Sequence, residues 1–559
     1  MRRLLAAPAR RLLAAAALAL GVSAAAPARA VEPWSDADPA AEWRRYTLGD
    51  FGLRAGAEYR AQLVYINPIS LNTENAREAS WIEHRLRLDA GADWRDKVRI
   101  VASVDLLDGV LWGDNGSYGG DPSANAGTNV NARNPNVARP CVGLRSGGDP
   151  LDAQSYGYAL CPADNLEVRK LYGEVVLPFG LLRIGRQSVN IGTGVQASDG
   201  DGRPNRFGVS RSGNFVDRIL FATKPLEAFK PAHLRSTSPN EGLILALAYD
   251  RIVTDDPQNL GAAVNQWDTA LRFAAPAWAE GEGRDLLLSA YHAYRWDAQF
   301  STRIHSFGLR AMSRFGGLSA GFDVAANLGT TREIAAAYHV ISNDPTVDQP
   351  VRQLGARAVV RYDRRLFTLY LEGDFASGDG DPQARTPLTQ FTFAEDTNVG
   401  LLLFKHVLAF QTARASAAGV VALQRLSAPS LPAEAVATRG AFTNAAALFP
   451  QLDLRPLPHL LLRGGVLVAW APSLVNDPVA SLQNHAGGIP IDRALVNFAG
   501  GKPGRFYGAE LDGRVQYRFV EHFLVDLEGA VLFPGDALRN RDGYAVRSGM
   551  VNARTTFFF

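Results

Sequence analysis

The chain has 559 residues, of which 47% are hydrophobic, and a formal net charge of +2. Five arginines lie in the first 30 residues, so the remainder holds 53 basic and 56 acidic residues and carries about −3, which excludes a strong global attraction to nucleic acid or to a membrane surface. No linker rich in Pro, Gly or Ser separates the patterned segments described below, so we expect one domain.

The first 30 residues have the pattern of a secretory signal peptide. Four arginines precede the apolar run Leu12 to Val22, and Ala28-Arg29-Ala30 matches an Ala-x-Ala cleavage site. The run is too short to span a membrane as a helix, and no later segment offers the ~18 uninterrupted apolar residues that a spanning helix needs. We therefore expect an exported protein without a helical anchor, in which residues 31–49 form a periplasmic N-terminal segment.

Three long stretches of alternating apolar and polar residues follow, at Asp50 to Ile66, Trp81 to Trp94 and Val98 to Trp112. Strands of ten or more residues with one apolar and one strongly charged face are typical of a membrane barrel with a polar lumen. The tryptophans at 81, 94 and 112 lie at predicted strand ends, where an aromatic girdle marks the membrane surface. The alternative is that they are ordinary core residues.

Fifteen further stretches repeat the pattern and complete a predicted set of 18 strands. They are Leu166–Val176, Leu181–Gln187, Phe215–Ala222, Leu243–Ile252, Trp267–Ala274, Asp285–Trp296, Arg303–Phe315, Leu318–Leu328, Arg352–Tyr362, Leu366–Ala376, Asn444–Leu454, Leu460–Ala471, Tyr507–Phe519, Phe523–Phe533 and Arg547–Phe559. An even number places both termini on the periplasmic side. Because stretches such as 444–454 are weak, 16 strands is the alternative. Leu401 to Ala418 is predicted to be an amphipathic helix in an outer loop or across the lumen.

The connections between these stretches alternate between long polar loops and short turns. Bacterial outer-membrane barrels have this asymmetry, with long extracellular loops and short periplasmic turns. The predicted fold is therefore all-β, an antiparallel transmembrane β-barrel over residues 50–559 in the bacterial outer membrane, surrounded by outer-membrane lipid. Phe557 and Phe559 fall on the outward face of the last strand, where a terminal Phe resembles the signal that the barrel assembly machinery reads.

The long loops contain the two cysteines and two acidic Gly-Asp repeats. Cys141 and Cys161 lie in one polar loop, and in an oxidising envelope we expect them to form a disulfide. The repeats at 199–202 and 378–381 offer oxygen ligands for Ca²⁺, although acid-rich turns explain them better because neither has a positioned distal Glu. The nine histidines form no paired metal motif and no Gly-x-Ser-x-Gly motif occurs, so we expect neither a cofactor nor enzymatic activity.

Strand parity predicts which charged residues face the lumen. All but six of the basic residues are Arg, which either reflects genome composition or indicates an interior lined with guanidinium groups. Such a lining lowers the barrier for anions and binds carboxylates, whereas Arg and Glu on neighbouring strands can instead neutralise one another. The candidate pore-lining or substrate-binding residues from parity are Arg85, Arg87, Arg183, Arg310, Arg357, Arg361, Glu372, Asp374 and Arg514.

Short motifs are spread over most of the mature chain, namely RKLY at 169–172, LRIGRQ at 182–187, Gly192, DR at 217–218, LEGDFASGD at 371–379 and GAELD at 508–512. Together they resemble the alginate export family of outer-membrane porins. The resemblance implies an 18-stranded barrel with a charged pore that conducts an anionic polyuronate outward. It assigns lining roles to Arg183 and Arg186, with Glu372 and Asp374 as acidic partners.

Two functions from different classes follow. The first is an outer-membrane channel that passes an anionic solute, with export of an anionic polysaccharide such as alginate as its most specific form. The second is a barrel with a plugged lumen that serves as an adhesin or binding platform through its long loops. Electrical conductance separates the two.

Overall fold

A computed structural model describes residues 44–72, 78–113, 164–189, 192–200, 205–210, 213–236, 238, 241–254, 264–279, 282–395, 397–429 and 431–559. Eighteen antiparallel strands, β2 to β19, each pair with their neighbours in the chain, and β19 pairs with β2 to close the barrel. This confirms the predicted barrel and strand number. A short additional strand, β1 (Arg44–Leu48), pairs only with β2.

The strands of the barrel are β2 (Phe51–Asn67), β3 (Ala79–Trp94), β4 (Val98–Gly113), β5 (Asp164–Leu177), β6 (Gly180–Ser188), β7 (Phe215–Thr223), β8 (Gly242–Thr254), β9 (Asn265–Trp278), β10 (Gly283–Asp297), β11 (Thr302–Phe315), β12 (Leu318–Thr331), β13 (Gln349–Asp363), β14 (Phe367–Ala376), β15 (Ala445–Leu457), β16 (Leu460–Trp470), β17 (Phe506–Val520), β18 (Phe523–Pro534) and β19 (Ser548–Phe558). We call the end with the long loops the outer end and the opposite end the periplasmic end.

The alternation of side chains along each strand explains the barrel. Leu63, Ile100, Leu309 and Leu527 are about half exposed on the outward face, whereas charged residues of the same strands are buried inside. Because successive side chains point to opposite faces, a strand with this pattern needs lipid on one side and polar partners on the other. Among the described residues, no helix has the length and apolar character needed to cross a membrane.

The two ends of the chain meet at the periplasmic end. Phe559 and Ala57 exchange both backbone hydrogen bonds, at 2.9 and 3.1 Å between N and O atoms. Phe557 stacks on Phe523 with ring centroids 4.7 Å apart, and Phe559 is 66% exposed. Both side chains point outward, as parity predicts. β1 occupies the edge of β2 beyond the end of β19, so the described part of the N-terminal segment extends the wall.

The helices lie in the outer loops. They are α1 (Glu333–Ser342), α2 (Ala409–Arg425), α3 (Leu431–Glu434), α4 (Pro478–Ala486) and α5 (Ile491–Ala494), and a π-helical turn at Leu403–Leu408 leads into α2. Short 3-10 turns occur at Pro225–Phe229, Ala232–Leu234 and Asp536–Leu538. The helix predicted at Leu401–Ala418 is confirmed as the π turn and α2. Packing of α1, α2, α3 and α4 around Tyr338 and Leu423 forms a small helical cap.

Two loops fold into the lumen. Residues 391–443, here called the plug segment, pack against the inner wall, and Leu402, Leu403 and Val407 are completely buried there. Residues 189–214, here called the lumen loop, lie deeper. On β17, Glu510 binds the plug segment, whereas Arg514, four residues nearer the periplasmic end, binds the lumen loop.

Some predictions change and others fall outside the described residues. Trp81 does not belong to a girdle, because its side chain is 1% exposed, points inward, and packs against His406 of the plug segment at 5.8 Å between ring centroids. Trp94 is 41% exposed on the outward face at the periplasmic end. The described residues do not include the signal peptide predicted at 1–30, Cys141 or Cys161, and the side chain of Trp112 is not described either.

Candidate solute passage

A cavity of about 220 Å³ with a mixed polar and apolar lining lies against the inner wall formed by β10 to β13. A smaller cavity toward the β7 to β9 wall shares Gln196, Arg295 and Ser306 with it, so the two adjoin. The plug segment packs chiefly against the opposite wall, whereas the lumen loop also bonds to the near wall, where the Thr193 backbone N–H donates to Asp323 of β12 at 2.7 Å. The adjoining cavities therefore form a candidate passage between the lumen loop and one side of the barrel.

A row of hydrogen bonds crosses this wall. The Ser306 hydroxyl donates to Asn327 Oδ1 at 2.7 Å, and Asn327 Nδ2 donates to Gln353 Oε1 at 3.0 Å. The three residues are direct cross-strand neighbours on β11, β12 and β13, so the strand register places them in one line. Hydroxyl and amide groups both donate and accept, which suits them to contact with a hydroxylated or carboxylated solute.

Arg295 and Tyr291 project from β10 beside this row. Arg295 Nε donates to Gln266 Oε1 at 2.9 Å, and this bond orients the guanidinium along the wall. The ring of Tyr291 lies directly over Gly308 of β11, where an added Cβ would approach Cε1 of the ring to 1.9 Å. A glycine is therefore required opposite Tyr291. The hydroxyl of Tyr291 and Oε1 of Gln196 are buried and make no hydrogen bond within the structure.

The roof of the cavity comes from the outer loops. Asp379, Asp381 and Gln383 line it together with α1 and the start of α4. Asp379 accepts hydrogen bonds from the backbone N–H groups of Asp381 at 3.0 Å and Thr389 at 3.1 Å, so its carboxylate shapes the loop. Burial raises the pKa of the Asp379 carboxyl above its usual range, which weakens the negative charge at the entrance.

The predicted lumen residues divide into local ion pairs rather than one open ring. Arg87 binds Asp105 through two hydrogen bonds at 2.7 and 2.8 Å, Arg85 binds Glu58 at 2.6 Å, and Arg183 binds Glu174 at 2.9 Å. Arg357 binds Asp374 at 2.6 Å and Glu372 at 2.9 Å, Arg361 binds Asp363 at 2.9 Å, and Arg514 binds Asp526 at 2.7 Å. For these pairs the mutual neutralisation considered from the sequence is the arrangement present.

The two remaining arginines of the predicted lumen set are Arg186 on β6 and Arg310 on β11, which lies directly opposite Asp323 of β12. Arg186 points outward, because it shares a face with Ile184, which is 50% exposed to the outside, and it pairs there with Asp217 at 2.9 Å. Its predicted place in the lumen is therefore wrong: Arg183 and Arg186 are three positions apart and fall on opposite faces of β6. Arg310 does face inward, two positions below Gly308 on β11, and is half-buried.

Sequence reasoning missed Gln196, Tyr291 and Arg295. Strand parity could have identified Arg295 and Tyr291, since both alternate with outward-facing residues of β10 in the same way as Arg310 does on β11. Nothing in the sequence indicated Gln196, because it reaches the wall only through the path of the lumen loop. In the described part of the chain, no three His, Cys, Asp or Glu residues are arranged to hold a metal ion.

Comparison with known proteins places these features in context. A family model described as alginate export matches residues 432–552, which include β15 to β18. A search of curated protein sequences finds no match. Among solved structures, OccAB1 of Acinetobacter baumannii has a TM-score of 0.47 at 9% identity, covering 91% of this chain and 96% of that chain.

Two other porins are similar over the same extent. A BenF-like porin from Pseudomonas fluorescens Pf-5 has a TM-score of 0.45 at 9% identity, with 91% and 98% of the two chains covered. OccK2 (OpdF) of Pseudomonas aeruginosa has a TM-score of 0.44 at 10% identity, with 91% and 97% covered. The fold assignment itself stands on the strand register of this chain. The chain is therefore a closed 18-stranded β-barrel of the bacterial outer membrane, whose residues 432–552 are similar to the alginate export family.

Proposed function

We propose that this outer-membrane channel carries a small anionic solute along the wall formed by β10 to β13. The observation that supports this most is the pair of adjoining cavities between the lumen loop and that wall, whose lining includes Arg295 and the row of hydroxyl and amide groups. Arg295 lies in both cavities and Arg310 lies deeper on the same side. Guanidinium groups bind carboxylates strongly, so a solute with one carboxylate and several hydroxyls fits the row of donors and acceptors beside them.

The size of the passage supports a small solute. The larger cavity, at about 220 Å³, is below the ~300–1,000 Å³ of pockets for drug-sized ligands. A single uronate or similar acid suits this space better than a polymer chain. Export of a polysaccharide such as alginate through the same barrel requires the lumen loop or the plug segment to move aside first.

The experiment is a measurement of ion selectivity and solute block in a planar bilayer. We expect wild type to favour anions and a monomeric uronate to block it more strongly than a neutral hexose. Arg295→Gln should weaken uronate block about tenfold, because one charge-assisted hydrogen bond is lost. Arg251→Gln, the same change at an exposed position on the outward face of β8, is the matched control and should leave block unchanged.

The second candidate function is a closed barrel that presents its loops as a binding platform. The extensive burial of the plug segment favours it. If wild type shows no conductance, and a variant with a loosened plug segment shows none either, the binding platform would be supported and the channel contradicted. If Arg295→Gln and Arg251→Gln weakened uronate block equally, the proposed location of the passage would be contradicted. The channel function itself would not be.

We also propose that the C-terminal Phe is read by the barrel assembly machinery. Its side chain is exposed at the end of the closing strand, where nothing in the described barrel needs it for packing. Deletion of Phe559 should therefore reduce the amount of heat-modifiable barrel in the outer membrane severalfold. Phe229→Ala, at a periplasmic turn where Phe229 is 87% exposed, is the control and should assemble normally. Normal assembly after the deletion would contradict this role.

A further inference from the structure

The lipid-facing surface of the barrel contains a hollow of about 400 Å³ across β12 to β16. Its floor is made of small outward-facing residues on three neighbouring strands, Ala356, Ala358, Gly373 and Ala446, and Phe322 and Trp470 stand at its edges. Phe322 and Trp470 are 45% and 48% exposed, which confirms that this hollow is outside the barrel and not in the lumen.

The register explains the depth of the hollow. Gly373 of β14 lies directly between Ala358 of β13 and Leu448 of β15. A Cβ added at Gly373 would meet no atom within 4 Å, so the missing side chain leaves open space on the lipid side. The cavity surface is almost wholly apolar. Because this face of the strands is solvated by hydrocarbon, the group that fills the hollow is an acyl chain.

Two arginines stand above the hollow at the outer end. Arg352 lies on β13, on the same face as Ala356 and four residues closer to the outer end, which corresponds to about 13 Å along the strand. Arg303 occupies the equivalent outward face at the outer end of β11. Both are exposed, and neither makes a salt bridge with a residue that the structure describes. Unpaired guanidinium groups at this level are placed to bind phosphate.

We propose that this surface is a binding site for a phosphorylated glycolipid of the lipid A type. One acyl chain occupies the hollow over Gly373, and a phosphate of the head group lies against Arg352 and Arg303. A glycolipid of the outer leaflet fits because both arginines lie at the outer ends of their strands, and the hollow begins at Ala356, four residues below Arg352. The site is separate from the lumen and from the proposed passage.

Lipid retained by the purified barrel tests the site. The protein is exchanged into nanodiscs that contain phosphatidylethanolamine with a small fraction of either lipid A or phosphatidylglycerol, and bound lipid is counted by native mass spectrometry. We expect wild type to retain lipid A in a fixed ratio to protein. Gly373→Leu, which fills the hollow, and Arg352→Gln, which removes a phosphate ligand, should each lower retention about tenfold.

Matched controls come from the same barrel. Gly173→Leu adds a side chain at another outward-facing glycine with open space around it, and Arg251→Gln removes another exposed outward arginine. Both should retain lipid A like wild type. Equal loss in the control variants would show a general lipid shell and overturn the site. Preferential retention of phosphatidylglycerol would overturn the assignment to a glycolipid.

Discussion

Glu510→Ala should turn a narrow channel into one that opens widely and often. Glu510 is completely buried and accepts hydrogen bonds from three successive backbone N–H groups of the plug segment, those of Leu401 at 2.7 Å, Leu402 at 2.8 Å and Leu403 at 2.6 Å. Removing the carboxylate leaves three buried donors without an acceptor, at a cost of about 3–5 kcal/mol. That free energy raises the population with a displaced plug by a factor of at least about 100.

The measurement is single-channel conductance of Glu510→Ala beside wild type. We expect frequent large openings in the variant and rare ones in wild type. Glu521→Ala, at an exposed position in a periplasmic turn, is the control for loss of a negative charge. Heat-modifiable mobility on gels confirms that the variant has formed a barrel. If a correctly formed Glu510→Ala barrel conducted like wild type, Glu510 would not hold the plug segment in place.

Asp453→Ala should strongly lower the stability of the barrel. Asp453 lies in the lumen with no exposed surface and binds the buried Arg463 and Arg206, as well as the partly exposed Arg455 at 3.4 Å. Arg463 contacts it through two hydrogen bonds at 2.7 and 2.9 Å, and Arg206 of the lumen loop contacts it at 2.7 Å. Both guanidinium groups are nearly buried, so removing their shared carboxylate leaves uncompensated charges, at a cost of about 3–5 kcal/mol.

The lumen loop should detach at the same time. Arg206 carries the central contact of this loop, since its backbone oxygen also accepts a hydrogen bond from Arg514 at 3.0 Å, and its guanidinium lies 4.0 Å from the Tyr370 ring centroid. We therefore expect a lower temperature of heat modification together with protease cleavage within the lumen loop. The matched control is Asp50→Ala, which breaks the exposed pair with Arg95 and should change stability by no more than about 1 kcal/mol.

Two other outcomes would show that a different contact holds the lumen loop in place. If Asp453→Ala and Asp50→Ala lowered the temperature equally, the Arg206–Asp453–Arg463 cluster would not be the contact that holds the lumen loop. If Asp453→Ala destabilised the barrel but left the loop resistant to protease, Asn398 would be the stronger anchor, since it donates to the carbonyl oxygens of Phe207 and Val209.

The barrel was predictable from sequence because its cause is local. Each strand needs an apolar residue at every second position to face lipid, and this period is visible without any tertiary contact. The same parity assigned Arg87, Arg357 and Arg514 to the interior correctly. Arg186 was misplaced by the family resemblance and not by parity, because the resemblance gave lining roles to both Arg183 and Arg186, which have opposite parity on β6.

Only the tertiary structure decided what the interior does. Strand parity predicts that an arginine faces inward. It does not predict which carboxylate lies beside that arginine, because the partner is on another strand, as Asp105 of β4 is for Arg87 of β3. The paths of the lumen loop and the plug segment depend on contacts across up to several hundred residues, such as that between Arg206 and Asp453. The sequence by itself therefore determined a charged barrel in the outer membrane. The three-dimensional packing determined that most of the predicted lumen arginines are paired with carboxylates, that the plug segment fills one side of the lumen, and that the cavities lie along the other.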